Sequence, residues 1–155
     1  MQMSHTLIKQ LAKQGIAYDI ISHPYSEFSL NTARSSHIAE NKMVKSVVFE
    51  DDDGYVMVLL PANQRVKIGE LNQLLNRRMG LTTEETIRKL FCDCDPGAII
   101  PAVETDQIET VVDYNLDDCN DVYIESGNHQ ELLHLNANGF RKLLKNARHA
   151  NICTH

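Results

Sequence analysis

The run Tyr55-Val-Met-Val-Leu-Leu60 constrains this chain more than any other segment, because six residues without a charge leave neither face of an extended strand polar. Such a strand belongs in the middle of a sheet that is covered on both sides. Its partner is also legible. Met43 to Phe49 is a second β-rich run, and the intervening Glu50-Asp-Asp-Asp-Gly54 ends in an Asp-Gly turn signal, so the two runs form a hairpin. Pro61 closes the second strand. Any fold for this chain is built around that buried hairpin.

The flanking segments supply helices and further strands. Ser4 can cap a helix with Leu7, Ile8 and Leu11 at helical spacing and Gly15 as its stop. Ile16 to Ser22 reads as a strand broken by His23-Pro24, and Thr32 to Ala39 as a helix capped by Asn31 or Thr32. Leu71, Leu74 and Leu75 mark a short helix, and Thr82-Thr-Glu-Glu85 is a capping-box signature opening another through Leu90. The loop Cys92-Asp-Cys-Asp-Pro-Gly97 then leads into apolar Ala98-Ile-Ile100. Strands at Thr110 to Asp113 and Val122 to Ser126 follow, then a Gly127-Asn128 turn and a returning strand, Leu132 to Leu135. The last helix, from Asn138, carries Phe140, Leu143 and Leu144 on one face. Paired strands interrupted by irregularly placed helices indicate an α+β fold. With 155 residues and no repeat or linker, one domain over 1–155 is expected.

Composition excludes several classes. Hydrophobic residues at 43% and charged residues at 23% fit a soluble globule, and no apolar run is long enough to span a bilayer. The first residues lack a secretory pattern, so a cytoplasmic protein with no membrane partner is expected. The net charge of −6, without a basic stripe, argues against gripping DNA or a long nucleic-acid track. Capture of one phosphate or one nucleotide end remains open. Four cysteines, at 92, 94, 119 and 153, are too few and too uneven for a disulfide scaffold. Cys-x-Cys without a second close pair is not a zinc pattern, and His149, Cys153 and His155 fall in a tail expected to fray. No metal or cofactor is expected.

Lys45 is the most informative position for chemistry. It shares a strand face with Met43, Val47 and Phe49, where a charge is costly unless its amine finds a partner or reaches water. One reading is a lysine that snorkels from the strand's start; the other is a cation set at a pocket to hold an anion. In the 93–97 loop, Pro96 and Gly97 fix a tight turn whose backbone N–H groups can converge on an oxyanion, although a plain connection would use the same residues. His129 follows the Gly127-Asn128 turn, where a histidine is commonly a surface group or a strut. His134 reads as structural, and His5, His23, His37, His149 and His155 form no pattern. A thiol hydrolase using Cys94 and His129 is disfavoured, since Asp93 and Asp95 would raise the thiol's pKa.

Five segments in order resemble the YbaK family, which includes the editing insertion of bacterial prolyl-tRNA synthetases. They are Tyr18-Asp-Ile-Ile-Ser-His-Pro24, Met43-Val-Lys-Ser-Val-Val-Phe49, Tyr55-Val-Met-Val-Leu-Leu-Pro-Ala62, Phe91-Cys-Asp-Cys-Asp-Pro-Gly-Ala98 and Tyr123-Ile-Glu-Ser-Gly-Asn-His129. The resemblance runs from His5 to about Ala150. It implies a mixed, barrel-like central sheet flanked by helices, and hydrolysis of the ester joining a small, wrongly attached amino acid to the tRNA 3′ end. Lys45 matches a lysine implied to hold a phosphate of the terminal adenosine. Asp93, Cys94, Asp95, Pro96 and Gly97 align with a substrate loop whose amides orient the aminoacyl carbonyl. His129, with Gly127 before it, matches positions beside the aminoacyl pocket. The implied partners are aminoacylated tRNA and, as a candidate, an aminoacyl-tRNA synthetase. Two departures stand beside the pocket: Asp93 replaces a glycine, and Ile100-Pro-Ala-Val103 replaces Pro-Pro-Leu-Gly. They motivate a rival in which the fold binds an aminoacyl-tRNA or nucleotide end without catalysis, because a carboxylate near the ester would repel an oxyanion.

Overall fold

The structure is a computed structural model that describes residues 3–26, 29–95, 97–101 and 108–154. Its elements, in order, are α1 (His5–Gln14), β1 (Asp19–Ser22), α2 (Ser29–Ser35), a 3-10 turn (Glu40–Lys42), β2 (Val44–Asp51), β3 (Gly54–Pro61), β4 (Arg65–Val66), α3 (Ile68–Leu75), β5 (Gly80–Leu81), α4 (Glu84–Leu90), β6 (Ile108–Asp113), α5 (Tyr114–Asp117), β7 (Asp121–Glu125), β8 (Glu131–Asn136), α6 (Ala137–Leu143), β9 (Arg148–Ala150) and β10 (Cys153–Thr154). It is a mixed α+β fold with a central mixed sheet flanked by helices.

The hairpin predicted from the sequence is the axis of the main sheet. β2 and β3 pair antiparallel from Val44↔Pro61 to Asp51↔Gly54. On its other side β3 pairs parallel with β6, and the five-stranded order is β5-β2-β3-β6-β9. That central place explains why Val56 to Leu60 are all fully buried. A second sheet has the order β1-β8-β7, and a parallel bridge between Met43 and Tyr123 joins it to the edge of β2. The main core lies between the two sheets. It takes Val44, Val48, Met57 and Leu59 from one, Val122 and Ile124 from the other, and is closed by Leu7 and Leu11 of α1. Full burial of each of those leucines stabilises the fold by about 1.5–3 kcal/mol. The opposite face of β2 and β3 carries two smaller clusters, one under α3 with Phe49, Val58 and Leu71, the other under α2 with Ala33, Met43 and Leu132.

Local signals place most helix ends. The Ser4 hydroxyl accepts the Leu7 N–H at 3.3 Å, and Gly15 closes α1 in the left-handed region at φ 64°. Other boundaries moved. α2 lies earlier than the predicted Thr32–Ala39, and the chain turns back through the 3-10 segment before β2. α4 starts one residue late for the predicted capping box: Thr83 is the cap, and its hydroxyl accepts the Thr86 N–H. β1 begins at Asp19, because Ile16 is drawn into the core instead of continuing the strand. The expectation of a frayed C-terminus is overturned. β9 joins the main sheet parallel to β6, and β10 pairs with β4, so Cys153 is buried. Asp113 secures that return by accepting the Ile152 N–H at 2.9 Å. His155, Pro96, Ala102 and Val103 lie outside the described residues.

Candidate functional site

The 93–97 loop and the 127–129 turn meet. The Asp95 N–H donates to the Gly127 carbonyl at 2.7 Å, and the Ser4 N–H donates to the Ser126 carbonyl at 2.6 Å. Gly127 sits at φ 106°, and a Cβ there would stand 2.9 Å from the Ser4 backbone nitrogen. Only glycine lets the start of α1, the loop and the turn approach so closely. Asn128 holds the turn by accepting the N–H groups of Gln130 and Glu131, each at 2.9 Å. This leaves His129 buried, with the Tyr25 ring edge-on at 5.1 Å and the Ser26 N–H donating to its carbonyl.

Within the loop the side chains of Asp93 and Cys94 serve the fold. The Asp93 carboxylate accepts the Ser4 hydroxyl at 2.7 Å and the Thr6 N–H at 3.1 Å, so it complements the positive end of α1. Burial acts to raise its pKa, but the hydrogen bonds from Ser4 and Thr6 outweigh it and hold the carboxyl below its ordinary value. Its charge is therefore turned towards α1, which removes the argument that Asp93 repels an ester. Cys94 is buried in the main core, and burial pushes its thiol up to about 12, with the Asp93 carboxylate adding to the effect. It is a neutral thiol near pH 7 and lacks the thiolate a nucleophile needs. The amides of Cys94, Asp95 and Ala98 are spent on the carbonyls of Phe91, Gly127 and Asp95. Among the described residues, the Gly97 N–H meets no such partner, and Gly97 is exposed at φ 85°.

Lys45 stands apart from the loop. Its backbone neighbour Ser46 faces the main core and donates to the Ile99 carbonyl at 3.5 Å, which ties the loop's exit to β2. The Lys45 side chain leaves the opposite face and donates from Nζ to the Gln64 carbonyl at 2.6 Å. It is half-buried, and among the described residues no carboxylate pairs with it. Burial first, and then the like charge of Arg65, lower its pKa, while Cys153 acts weakly the other way. Gln64 is fixed from behind, since its side-chain oxygen accepts from Asn115 at 2.9 Å and from the Cys153 thiol at 2.6 Å. A cation beside a second cation, with no carboxylate paired to it among the described residues, is electrostatically suited to attract an anion.

Three groups escaped the sequence reading. Arg65 lies on the two-residue strand β4, which has no local signature in the sequence. Glu125 is 4% exposed on β7, its Oε2 has no hydrogen-bond partner among the described residues, and burial pushes its carboxyl up to about 8. Alternation along β7 was the available signal, since Val122 and Ile124 face the core and place Glu125 on the other side. His23 is also buried, with Nδ1 against the Pro24 carbonyl at 2.7 Å and Nε2 unpartnered. His134 does have the structural role expected, stacked on Tyr123 and bonded to Asp121 at 2.7 Å.

The aminoacyl-tRNA editing domain family matches residues 29–143, which include the hairpin, Lys45, the 93–97 loop and His129. The chain belongs to that family. No curated protein sequence matches it. Its fold is similar to that of the hypothetical protein APE2540, with TM-score 0.86 and 18% identity over 97% of this chain and 100% of that one. It is also similar to a candidate trans-editing enzyme for prolyl-tRNA synthetase, with TM-score 0.83 and 18% identity over 97% and 96% of the two chains. A signal-transduction candidate from Marinobacter aquaeolei contains the same fold in a larger chain, with TM-score 0.74 and 17% identity over 99% of this chain and 31% of that one. The same fold thus occurs both in a chain covered almost entirely by this one and as part of a longer chain. No helix among the described residues is long and apolar enough to cross a membrane.

Proposed function

We propose that this editing domain is a trans-editing hydrolase, which cleaves the ester between a small, wrongly attached amino acid and the 3′ end of tRNA. The observation that carries the reading is the Lys45 ammonium, half-buried beside Arg65 with no carboxylate to neutralise it among the described residues. A phosphate of the terminal adenosine would relieve both the desolvation and the like-charge repulsion at that point. One phosphate suffices to dock a short 3′ end, which suits a chain of net charge −6.

The chemistry needs little beyond positioning. An aminoacyl ester is already reactive, so fixed geometry, an oxyanion donor and an oriented water are the main requirements. In this reading the Gly97 amide donates to the carbonyl oxygen, and His129, clamped by Tyr25 and the Asn128 turn, borders the aminoacyl group. The neighbouring ribose hydroxyl orients the water, so no triad is called for. Asp93, Cys94 and Asp95 act by holding the loop's shape against α1 and Gly127. Any association with a synthetase would bring substrate to this site and add nothing to its chemistry.

The test is to incubate the purified chain with a panel of mischarged tRNAs and follow loss of the amino acid. Lys45→Ala is expected to lower kcat/KM on the order of a hundredfold. Absence of turnover across the panel, with salt-sensitive binding retained, would replace the hydrolase by a binding module of the same fold. Unchanged turnover in Lys45→Ala would remove the anchoring role.

A further inference from the structure

We infer that Glu125 receives the α-amino group of the aminoacyl moiety and so selects esters whose amine is free; the identity of that ligand rests on the editing hydrolase reading above. The inference starts from an unmet hydrogen-bond site. Glu125 is 4% exposed, and its Oε2 is enclosed without a partner among the described residues. Burying a carboxyl among apolar side chains is costly, and a hydrophobic residue would serve the fold better at the same position. Its cross-strand partner is Leu132, which packs with Met43 and Ala33.

Strand register gives the location. β2 and β7 run parallel and touch at the Met43↔Tyr123 bridge, beyond which β7 continues against β8 and β2 against β3. Residues opposite each other in a parallel pair point to the same side. Lys45 and Glu125 each lie two residues past the bridge, so they flank, on one side, the fork where the strands part. The fork is closed at its far end by Ser126 and Gly127, whose carbonyls hold α1 and the 93–97 loop. Register therefore puts the Lys45 cation and the acid of Glu125 on the same side of the fork. That is the charge arrangement of an aminoacyl nucleotide end, with phosphate at one end and amine at the other.

The other carboxylates near the loop are less suited. Asp93 is bonded to Ser4 and Thr6, and Glu131 accepts from Asn128 at 3.0 Å. Asp95 is partly exposed, so its carboxylate remains hydrated. Proton balance is simple. If the amine enters neutral, the Glu125 proton moves to it; if it enters as ammonium, that proton leaves to solvent. Either route ends in an ammonium–carboxylate pair. An N-acylated amine cannot form it.

The experiment uses two stable probes, 3′-alanylamino-3′-deoxyadenosine 5′-monophosphate, in which an amide replaces the ester, and its N-acetyl form. Their affinities for the full chain are measured by calorimetry. Wild type is expected to bind the free amine at least about tenfold more tightly, and Glu125→Gln to abolish that preference while both proteins keep the same far-ultraviolet dichroism. The carboxyl carbon of Glu125, followed by NMR, is expected to shift to the carboxylate position only with the free amine. Equal affinities in wild type, an unchanged preference in Glu125→Gln, or loss of the preference in Asp95→Asn alone would each overturn the inference. Preference retained without turnover of any mischarged tRNA would count against the hydrolase reading and support the role of Glu125.

Discussion

Replacing Glu125 by glutamine should change how the stability of this protein depends on pH. The Glu125 carboxyl is buried with its Oε2 unpartnered among the described residues, and burial raises its pKa from 4.5 to about 8. The sign follows from proton binding. Between those two values the folded chain holds a proton that the unfolded chain has released, so stability falls as pH rises. The contribution is complete below pH 4.5 and is lost as pH climbs through the folded value of about 8. Each pH unit in that window is worth about 1.4 kcal/mol, so the whole span amounts to about 5 kcal/mol. That is comparable with the total stability of many small domains. Glutamine at this position does not titrate, and an unpartnered amide there would shift stability by a constant amount at every pH. Urea unfolding of wild type and Glu125→Gln, followed by far-ultraviolet dichroism at half-unit steps of pH, isolates the term as a difference. The variant should gain on wild type by about 3 kcal/mol between roughly pH 5.5 and pH 7.5, and the difference should level off below about pH 4.5 and above about pH 8. Parallel curves for the two proteins would refute the argument, because they would mean that Glu125 has the same proton affinity folded and unfolded.

Other perturbations test the architecture around the site. Gly127→Ala forces a side chain into φ 106° and against the Ser4 backbone at 2.9 Å, and should cost about 2–3 kcal/mol in urea unfolding. Asp93→Ala removes the acceptor of the Ser4 hydroxyl and the Thr6 amide, and should cost about 1–2 kcal/mol; an unchanged denaturation midpoint would show that the contact does not hold α1. A thiol reagent applied to the native chain near neutral pH should label exposed Cys92 first. Cys94 and Cys153 should react only on unfolding, since both are buried and burial pushes both thiols up to about 12.

The sequence by itself determined the hairpin, the two ends of α1 and the class of the fold. Those features are local: an Asp-Gly turn, a strand apolar on both faces, and Ser4 and Gly15 at the two ends of α1. It also carried the ordered motifs around Lys45, the 93–97 loop and His129, which is why the editing domain family was readable before any geometry. Tertiary structure decided what the side chains in those motifs do. Asp93 looked like a carboxylate facing a substrate, and only the packing of α1 across the loop turned it into a helix anchor. Cys153 looked like part of a loose tail, because pairing of β10 with the short β4 joins residues far apart in the chain. Glu125 had no distinguishing neighbour in sequence. Its meaning depends on the parallel bridge between Met43 and Tyr123, a contact across 80 residues that no local pattern encodes. Lys45 spans both levels: alternation along β2 gave its face, and the fold supplied Gln64, Arg65 and the absence of a carboxylate partner among the described residues. Propensity and periodicity act over a few residues, whereas the charge environment of a buried group is set by whatever the whole chain packs around it.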